Sequence, residues 1–272
     1  MRKKVIFVTG ASSGFGCEVV KILSTKGHIV YGAARRIEKM EVLKNYGAAV
    51  IKMDVTQSEQ VNEAVAHIIE AQGKIDVLVN CAGYGVYGMV ENVSIKAAQA
   101  QFDVNVFGYA RVFQAVLPYM RKRRSGTIIN ISSVGGKIAL PMSGWYAASK
   151  HAIEGLSDSM RSEVKSFGIN VTLIEPGAIQ TGFSETAMHI DVAGHDPDYH
   201  KNAEAFIKSM TRIYAKSKGP ESVAAVIVKV CEKAHPKPRY LLGSDSKLMI
   251  FMKTLLPTRA FDNLLCKALG IQ

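Results

Sequence analysis

Seven short apolar, β-branched runs punctuate the chain: Lys4 to Thr9, Ile29 to Ala33, Val50 to Met53, Val77 to Asn80, Thr127 to Ile131, Asn170 to Ile174 and Arg239 to Leu242. Helical stretches separate them. Strands written as continuous apolar runs belong to a parallel sheet covered on both faces, so the alternation predicts an α/β fold, a doubly wound seven-stranded parallel sheet with helices on both sides. No internal repeat or low-complexity linker interrupts it, and residues 1–272 read as a single domain. Two segments fall outside the alternation. Residues 182–219 carry Met188, Ile190, Phe206, Met210 and Tyr214 and follow a strand end, where the crevices of such sheets lie, which suggests a lid. Residues 244–272 place Phe261, Leu264, Leu265, Ala268 and Leu269 at the spacing of an amphipathic helix.

Composition adds little to that picture: 48% hydrophobic and 21% charged residues suit a soluble globular domain. The apolar stretch after the basic start spans only Val5 to Val8, too short for a secretion signal. The run LMIFMKTLL is broken by Lys253 and ended by Pro257, well short of the roughly 20 residues that cross a bilayer. A cytoplasmic protein without a transmembrane span is expected. Cys17, Cys81, Cys231 and Cys266 show no metal or disulfide spacing.

The net charge of +11 makes an acidic partner attractive, whether nucleic acid, anionic membrane or a phosphorylated cofactor. Arg121 to Arg124 follow a helical stretch and precede Ser125-Gly126, which reads as a helix end closed by glycine rather than a nucleic-acid footprint, since no aromatics interleave. His189, His195 and His200, near Asp191, Asp196 and Asp198, lack a regular ligand spacing, and no metal is expected.

Three short motifs carry chemistry. TGASSGFG, Thr9 to Gly16, joins the first strand to a helix expected from about Cys17, and Gly10, Gly14 and Gly16 allow a tight turn and close approach of a pyrophosphate. After the second strand no acid stands ready for a ribose 2′-hydroxyl; Arg35 and Arg36 follow Ala34 instead, which suits a 2′-phosphate and predicts NADP(H). WYAASK sets Tyr146 and Lys150 four residues apart, on one face of a helix.

With these motifs in view, the sequence resembles the short-chain dehydrogenase/reductase family, particularly its 17-beta-hydroxysteroid dehydrogenase-like members, from Lys4 to about Gly182. Beyond the glycine loop the resemblance rests on Asp54-Val55, on NCAG at Asn80 to Gly83, on Asn105 in FDVNVFG, on Ser132-Ser133, on Tyr146 to Lys150 and on PGAIQT from Pro176 to Thr181. The family implies a Rossmann fold with Asn105, Ser133, Tyr146 and Lys150 as catalytic residues: Tyr146 as general acid or base, Ser133 on the substrate oxygen, Lys150 on the nicotinamide ribose, and Asn105 linking a water relay to Lys150. Cofactor contacts are implied for Gly10, Ser12, Ser13, Gly14, Phe15, Gly16, Arg35, Arg36, Asp54, Val55, Asn80, Ala82, Gly83, Tyr146, Lys150, Pro176, Gly177, Ile179 and Thr181. A homodimer or homotetramer built on the helix bearing Tyr146 is implied as well.

The expected reaction is NADP(H)-dependent interconversion of a bulky apolar ketone, steroid-like or similar, and its secondary alcohol. A phenol with an ordinary pKa near 10 needs about 4 kcal/mol to ionise near neutrality, which a lysine about 4 Å away could supply. Val134, Met142, Tyr84 and Tyr87 join the lid as pocket candidates. The C-terminal segment is expected to pack over the cleft or a subunit boundary, with weak membrane association through 244–272 as the other reading. A dinucleotide-sensing protein on the same fold is the alternative function, although it has no need of an acid/base tyrosine.

Overall fold

The computed structural model describes residues 3–180 and 196–271. Thr181 and the first part of the expected lid, Met188, Ile190, His189, Asp191 and His195 included, lie outside the described residues. Strands β1 (Val5–Thr9), β2 (Ile29–Ala34), β3 (Ala49–Lys52), β4 (Val77–Asn80), β5 (Gly126–Ile131), β6 (Ile169–Pro176) and β7 (Arg239–Leu242) form one sheet in the order β3-β2-β1-β4-β5-β6-β7. All its pairings are parallel. The sequence runs match these strands within a few residues at their ends.

Strand alternation divides the core. Ile6, Val8, Val77, Val79 and Ile129 point to one face, where Val19, Val20 and Leu23 of α1 (Gly14–Thr25) and Val223, Ile227 and Val230 of α7 (Pro220–Glu232) cover them. Val5, Phe7, Leu78 and Ile128 point to the other face, against Val61, Val65 and Ile68 of α2 (Ser58–Gln72) and Val112, Val116 and Met120 of α4 (Tyr109–Arg123). Both faces being apolar is the reason the strands read as unbroken hydrophobic runs. Helix α1 begins at Gly14, earlier than the glycine pattern suggests.

A third cluster lies beyond the carboxyl ends of the strands. Phe206 and Met210 of α6 (His200–Ala215) pack with Ile138 and Met142 and with Phe261, Leu265 and Leu269 of α9 (Thr258–Leu269). Met249, Ile250 and Met252 of α8 (Ser244–Leu255) add to it. The C-terminal amphipathic face is therefore spent on packing, while Leu264 of the same predicted stripe stays exposed.

The basic run does end α4, but Arg124, not a glycine, takes the left-handed terminating position at φ 53°. Its guanidinium lies 5.3 Å from the Phe167 ring, and Arg123 donates to Asp76 at 2.7 Å. Gly126 instead opens β5, where a Cβ would collide with Met120. Asp196 caps the short turn Pro197–Tyr199 by accepting from the Asp198 N–H at 3.0 Å.

Candidate active site

In a parallel sheet all strands end at the same edge, and the loops leaving β1, β2, β4, β5 and β6 line one cleft of about 1530 Å³. That exceeds the roughly 300–1,000 Å³ of a pocket for one small ligand, so there is room for a dinucleotide and a second molecule. The crevice straddles β1 and β4, where the strand order reverses.

At one end sits the glycine loop. Ser13 precedes α1 without a side-chain cap, which leaves the first-turn N–H groups free for an anion. Gly10 has φ +69°, and a Cβ there would lie 2.7 Å from the Ala82 nitrogen. Thr9 Oγ1 accepts from the Cys81 and Ala82 N–H groups at 3.2 and 3.3 Å, binding the NCAG loop to the glycine loop. Arg36 donates to Ser12 Oγ at 3.2 Å, and the Arg35 guanidinium is 4.0 Å from the Asp54 carboxylate. A bare-backbone cradle, free N–H groups and two cations on one wall fit a phosphorylated dinucleotide.

At the other end four side chains converge. Tyr146 lies in the first turn of α5 (Gly144–Glu163) and Lys150 one turn later. Ser133 caps the turn after β5: its Oγ accepts from the Gly135 N–H at 3.0 Å and hydrogen bonds the Tyr146 phenol. Lys150 Nζ donates to the Ile131 carbonyl at 2.9 Å and stands 5.8 Å from the Tyr146 ring centroid. Asn105 sits in a π-helical turn, Asp103–Gly108, a one-residue widening that recurs at functional sites. Its Nδ2 donates to the Tyr84 carbonyl at 2.8 Å and to Ser149 Oγ at 3.1 Å, and Ser149 donates to the Tyr146 carbonyl at 2.8 Å.

The electrostatics differ from the expectation of a phenol eased toward ionisation by its lysine. Burial raises the Tyr146 pKa well above the ordinary tyrosine value, opposed by the Ser133 bond, so the phenol is protonated at neutrality. Burial lowers the Lys150 ammonium to about 8. The i, i+4 placement sets Lys150 one turn along the helix, where its ammonium donates to the Ile131 carbonyl.

Most sequence candidates line this cleft: Gly10, Ser12, Ser13, Gly14, Phe15, Gly16, Arg35, Arg36, Asp54, Val55, Ala82, Gly83, Ser133, Tyr146, Lys150, Pro176, Gly177 and Ile179. Asn80 does not. It is fully buried and its Nδ2 donates to Asn130 Oδ1 at 3.0 Å, in a cross-strand pair that continues to Ser157 at 2.9 Å. A residue at the last position of a strand faces either the crevice or the core, and register decides which. Asn105 is also fully buried and reaches the cleft only through its neighbours. Met142 packs into the third cluster, whereas Tyr84, Tyr87 and Val134 line the cleft as expected.

Several contacts within the site left no signal in the sequence. Ser149 joins Asn105 to the Tyr146 backbone. Tyr87 stacks at 5.7 Å on Tyr146 and hydrogen bonds Tyr214 of α6. Glu154, one turn beyond Lys150, is buried and paired with Lys137 at 2.7 Å and with Arg239, which also holds Glu175 at 2.6 Å. Burial, reinforced by the charge of Glu154, raises the Glu175 carboxyl above the usual range. Arg239 thus ties α5, β6 and β7 together beneath the site. Arg239→Met is expected to destabilise the fold by about 2–3 kcal/mol, the cost of stranding buried carboxylates discounted for partial exposure of the guanidinium. Urea unfolding measures it, and a loss below about 0.5 kcal/mol would show the network to be ornamental.

Residues 4–189 match the family described as short chain dehydrogenase. The chain belongs to the short-chain dehydrogenase family. As a short-chain dehydrogenase it is similar, at 38% identity over 100% of this chain and 98% of the relative, to a 3-ketodihydrosphingosine reductase of Bacteroides thetaiotaomicron. Two solved short-chain dehydrogenases share its fold at 25% identity. One is a metagenomic enzyme in complex with NADP (TM-score 0.70, covering 88% of this chain and 96% of that one). The other, from Burkholderia phymatum, is in complex with NAD (TM-score 0.79, covering 93% of each). A short-chain dehydrogenase is an oxidoreductase acting on CH–OH groups, and its fold binds a nicotinamide dinucleotide.

Proposed function

We propose that this short-chain dehydrogenase uses NADP(H) to interconvert a bulky apolar ketone and its secondary alcohol, with Tyr146 as general acid in reduction. The observation that carries this reading is the hydrogen-bonded pair of buried Ser133 and half-buried Tyr146, set between the phosphate-binding loop and an apolar cap. The glycine loop would hold the pyrophosphate; Ser12, Arg35 and Arg36 the 2′-phosphate; Asp54 and Val55 the adenine; Lys150 the ribose; Pro176, Gly177 and Ile179 the nicotinamide end. Bound NADPH supplies a hydride to the carbonyl carbon.

The chain's own residues handle the oxygen. Ser133 and Tyr146 donate hydrogen bonds to the carbonyl, and the proton of Tyr146 passes to the oxygen as it gains charge. The phenol carries its proton at neutrality and can make that donation. Lys150 restores the proton to Tyr146, while Asn105 and Ser149 hold the helix and the Tyr84 loop in register.

This role for Lys150 sets a pH dependence. Its ammonium carries the proton below about 8 and loses it above. The kcat for reduction is expected to fall as pH rises through about 8, and Lys150→Arg to shift the decline upward; a flat profile across that range contradicts the relay.

Tyr87, Val134, Leu140, Phe206, Met210 and Leu269 give the cap an apolar wall that suits a steroid-like ketone. The reductase of Bacteroides thetaiotaomicron adds a second reading, a long-chain 3-ketone. A panel of steroid and long-chain ketones with NADPH and NADH tests both. NADPH oxidation by one class identifies the substrate; tight NADPH binding with no carbonyl turned over favours a dinucleotide-sensing protein. We assign the homodimer or homotetramer interface to α4 and α5, where Tyr119 and Leu156 are exposed.

A further inference from the structure

Helix α8 is apolar on two sides. Inward, Met249, Ile250 and Met252 join the third cluster, and Met249 lines the cleft. Outward, Leu248, Phe251 and Leu255 recur at i, i+3 and i+7 and form one stripe, with 61%, 61% and 67% of their surface exposed. Exposed Leu264 on α9 adds a fourth apolar side chain to the extension. A helix apolar all round is ordinarily buried, so the outer stripe calls for an occupant.

Charge selects that occupant. Lys247, Lys253, Arg259 and Lys267 are exposed in the extension against two carboxylates, Asp245 and Asp262. Lys247 adjoins Leu248, Arg259 lies in the first turn of α9, and Lys267 lies three residues after Leu264 on the same helix. A second copy seated on the stripe would bring a second set of the same cations into one interface with only Asp245 and Asp262 to offset each set, which is unfavourable. An anionic lipid surface offers both hydrocarbon and negative charge. Among the described residues no helix is long and apolar enough to cross a membrane, so insertion would be confined to the interface.

We propose that the outer stripe of α8, with Leu264, docks on an anionic bilayer while its inner side walls the cleft. Leucine and phenylalanine enter the acyl boundary, and Lys247, Arg259 and Lys267 supply the cations for the headgroups, while Lys253, on the opposite side of α8, donates to the Lys137 carbonyl. Uptake of an apolar substrate from that bilayer rests on the proposed ketone reductase reading; the docking does not.

Vesicle co-sedimentation tests the docking directly, using the full chain with phosphatidylcholine vesicles that contain or lack phosphatidylserine. Binding is expected only with phosphatidylserine, and to weaken with salt. Replacing Leu248, Phe251 and Leu255 together by serine should lower the binding constant about tenfold, as should Arg259→Glu with Lys267→Glu, while thermal unfolding stays unchanged because all five side chains are exposed. Failure of the parent protein to sediment overturns the proposal, as does equal sedimentation of parent and serine variant. Sedimentation velocity supplies the competing outcome: a dimer that the serine variant disrupts would make the stripe a self-association surface. None of these readouts depends on turnover, so loss of docking and loss of the ketone reductase reading are separable.

Discussion

Replacing Tyr146 with phenylalanine is expected to lower kcat for the proposed ketone reduction by about a thousandfold, roughly 4 kcal/mol of barrier, the middle of the range for a positioned general acid. The substitution removes one hydroxyl and keeps the ring, so the stacking on Tyr87 at 5.7 Å survives. Ser133 still reaches the carbonyl but must then serve as the proton donor, and an alcohol is a far weaker acid than a phenol. The Lys150 bond to Ile131 and the glycine loop are untouched, so cofactor affinity should change by less than about twofold, well under 1 kcal/mol. Steady-state kinetics beside a fluorescence titration of NADPH separates the two effects. Retained turnover sinks the acid assignment; equal loss of binding and turnover recasts Tyr146 as a cofactor contact only.

The second large effect concerns the arginines after β2. Arg36 is anchored on Ser12, and Arg35 extends from the same wall beside Asp54. Each charge-assisted contact to a 2′-phosphate contributes about 1.5–3 kcal/mol, with exposed Arg35 at the lower end. Arg35→Asp combined with Arg36→Ala is therefore expected to weaken NADPH binding by about 100- to 1000-fold, while NADH, lacking the phosphate, changes only slightly. The ratio of the two affinities is the readout. A similar loss for both cofactors would place the arginines in general loop support and remove the basis for NADP preference.

How much was readable in advance varies with the range of the interaction. The strands were legible because a two-sided sheet demands unbroken apolar residues such as VIFV and TIIN. The glycine loop was legible because a backbone cradle leaves its mark in consecutive residues. Tyr146 and Lys150 were legible as a helical pair, and the structure does bring both into one cleft with Ser133. The C-terminal helix declared its apolar face, and Phe261, Leu265 and Leu269 bury it.

Other features depend on what packs from far along the chain. Asn80 ends a strand run and is implied as a cofactor contact, yet its register turns it toward Asn130. Ser149 gains its partner only because the π-helical turn swings Asn105 inward. Arg124 ends its helix in a conformation normally left to glycine, with Phe167 beneath its guanidinium. The join of Glu154 to Arg239 spans segments that no local pattern connects.

The amino-acid order settled the fold class, the phosphate-binding turn and the helix face shared by Tyr146 and Lys150, since each follows from periodicity or from contacts within a few residues. Tertiary structure alone decided that the half-buried Tyr146 phenol is pushed above its ordinary range rather than below it, that Lys150 directs its ammonium to Ile131, and that α8 lines the cleft with one side and exposes the other. Protonation depends on how much water and charge surround a group, and exposure depends on which elements cover it. Both are properties of packing, and packing joins residues that the linear order keeps apart.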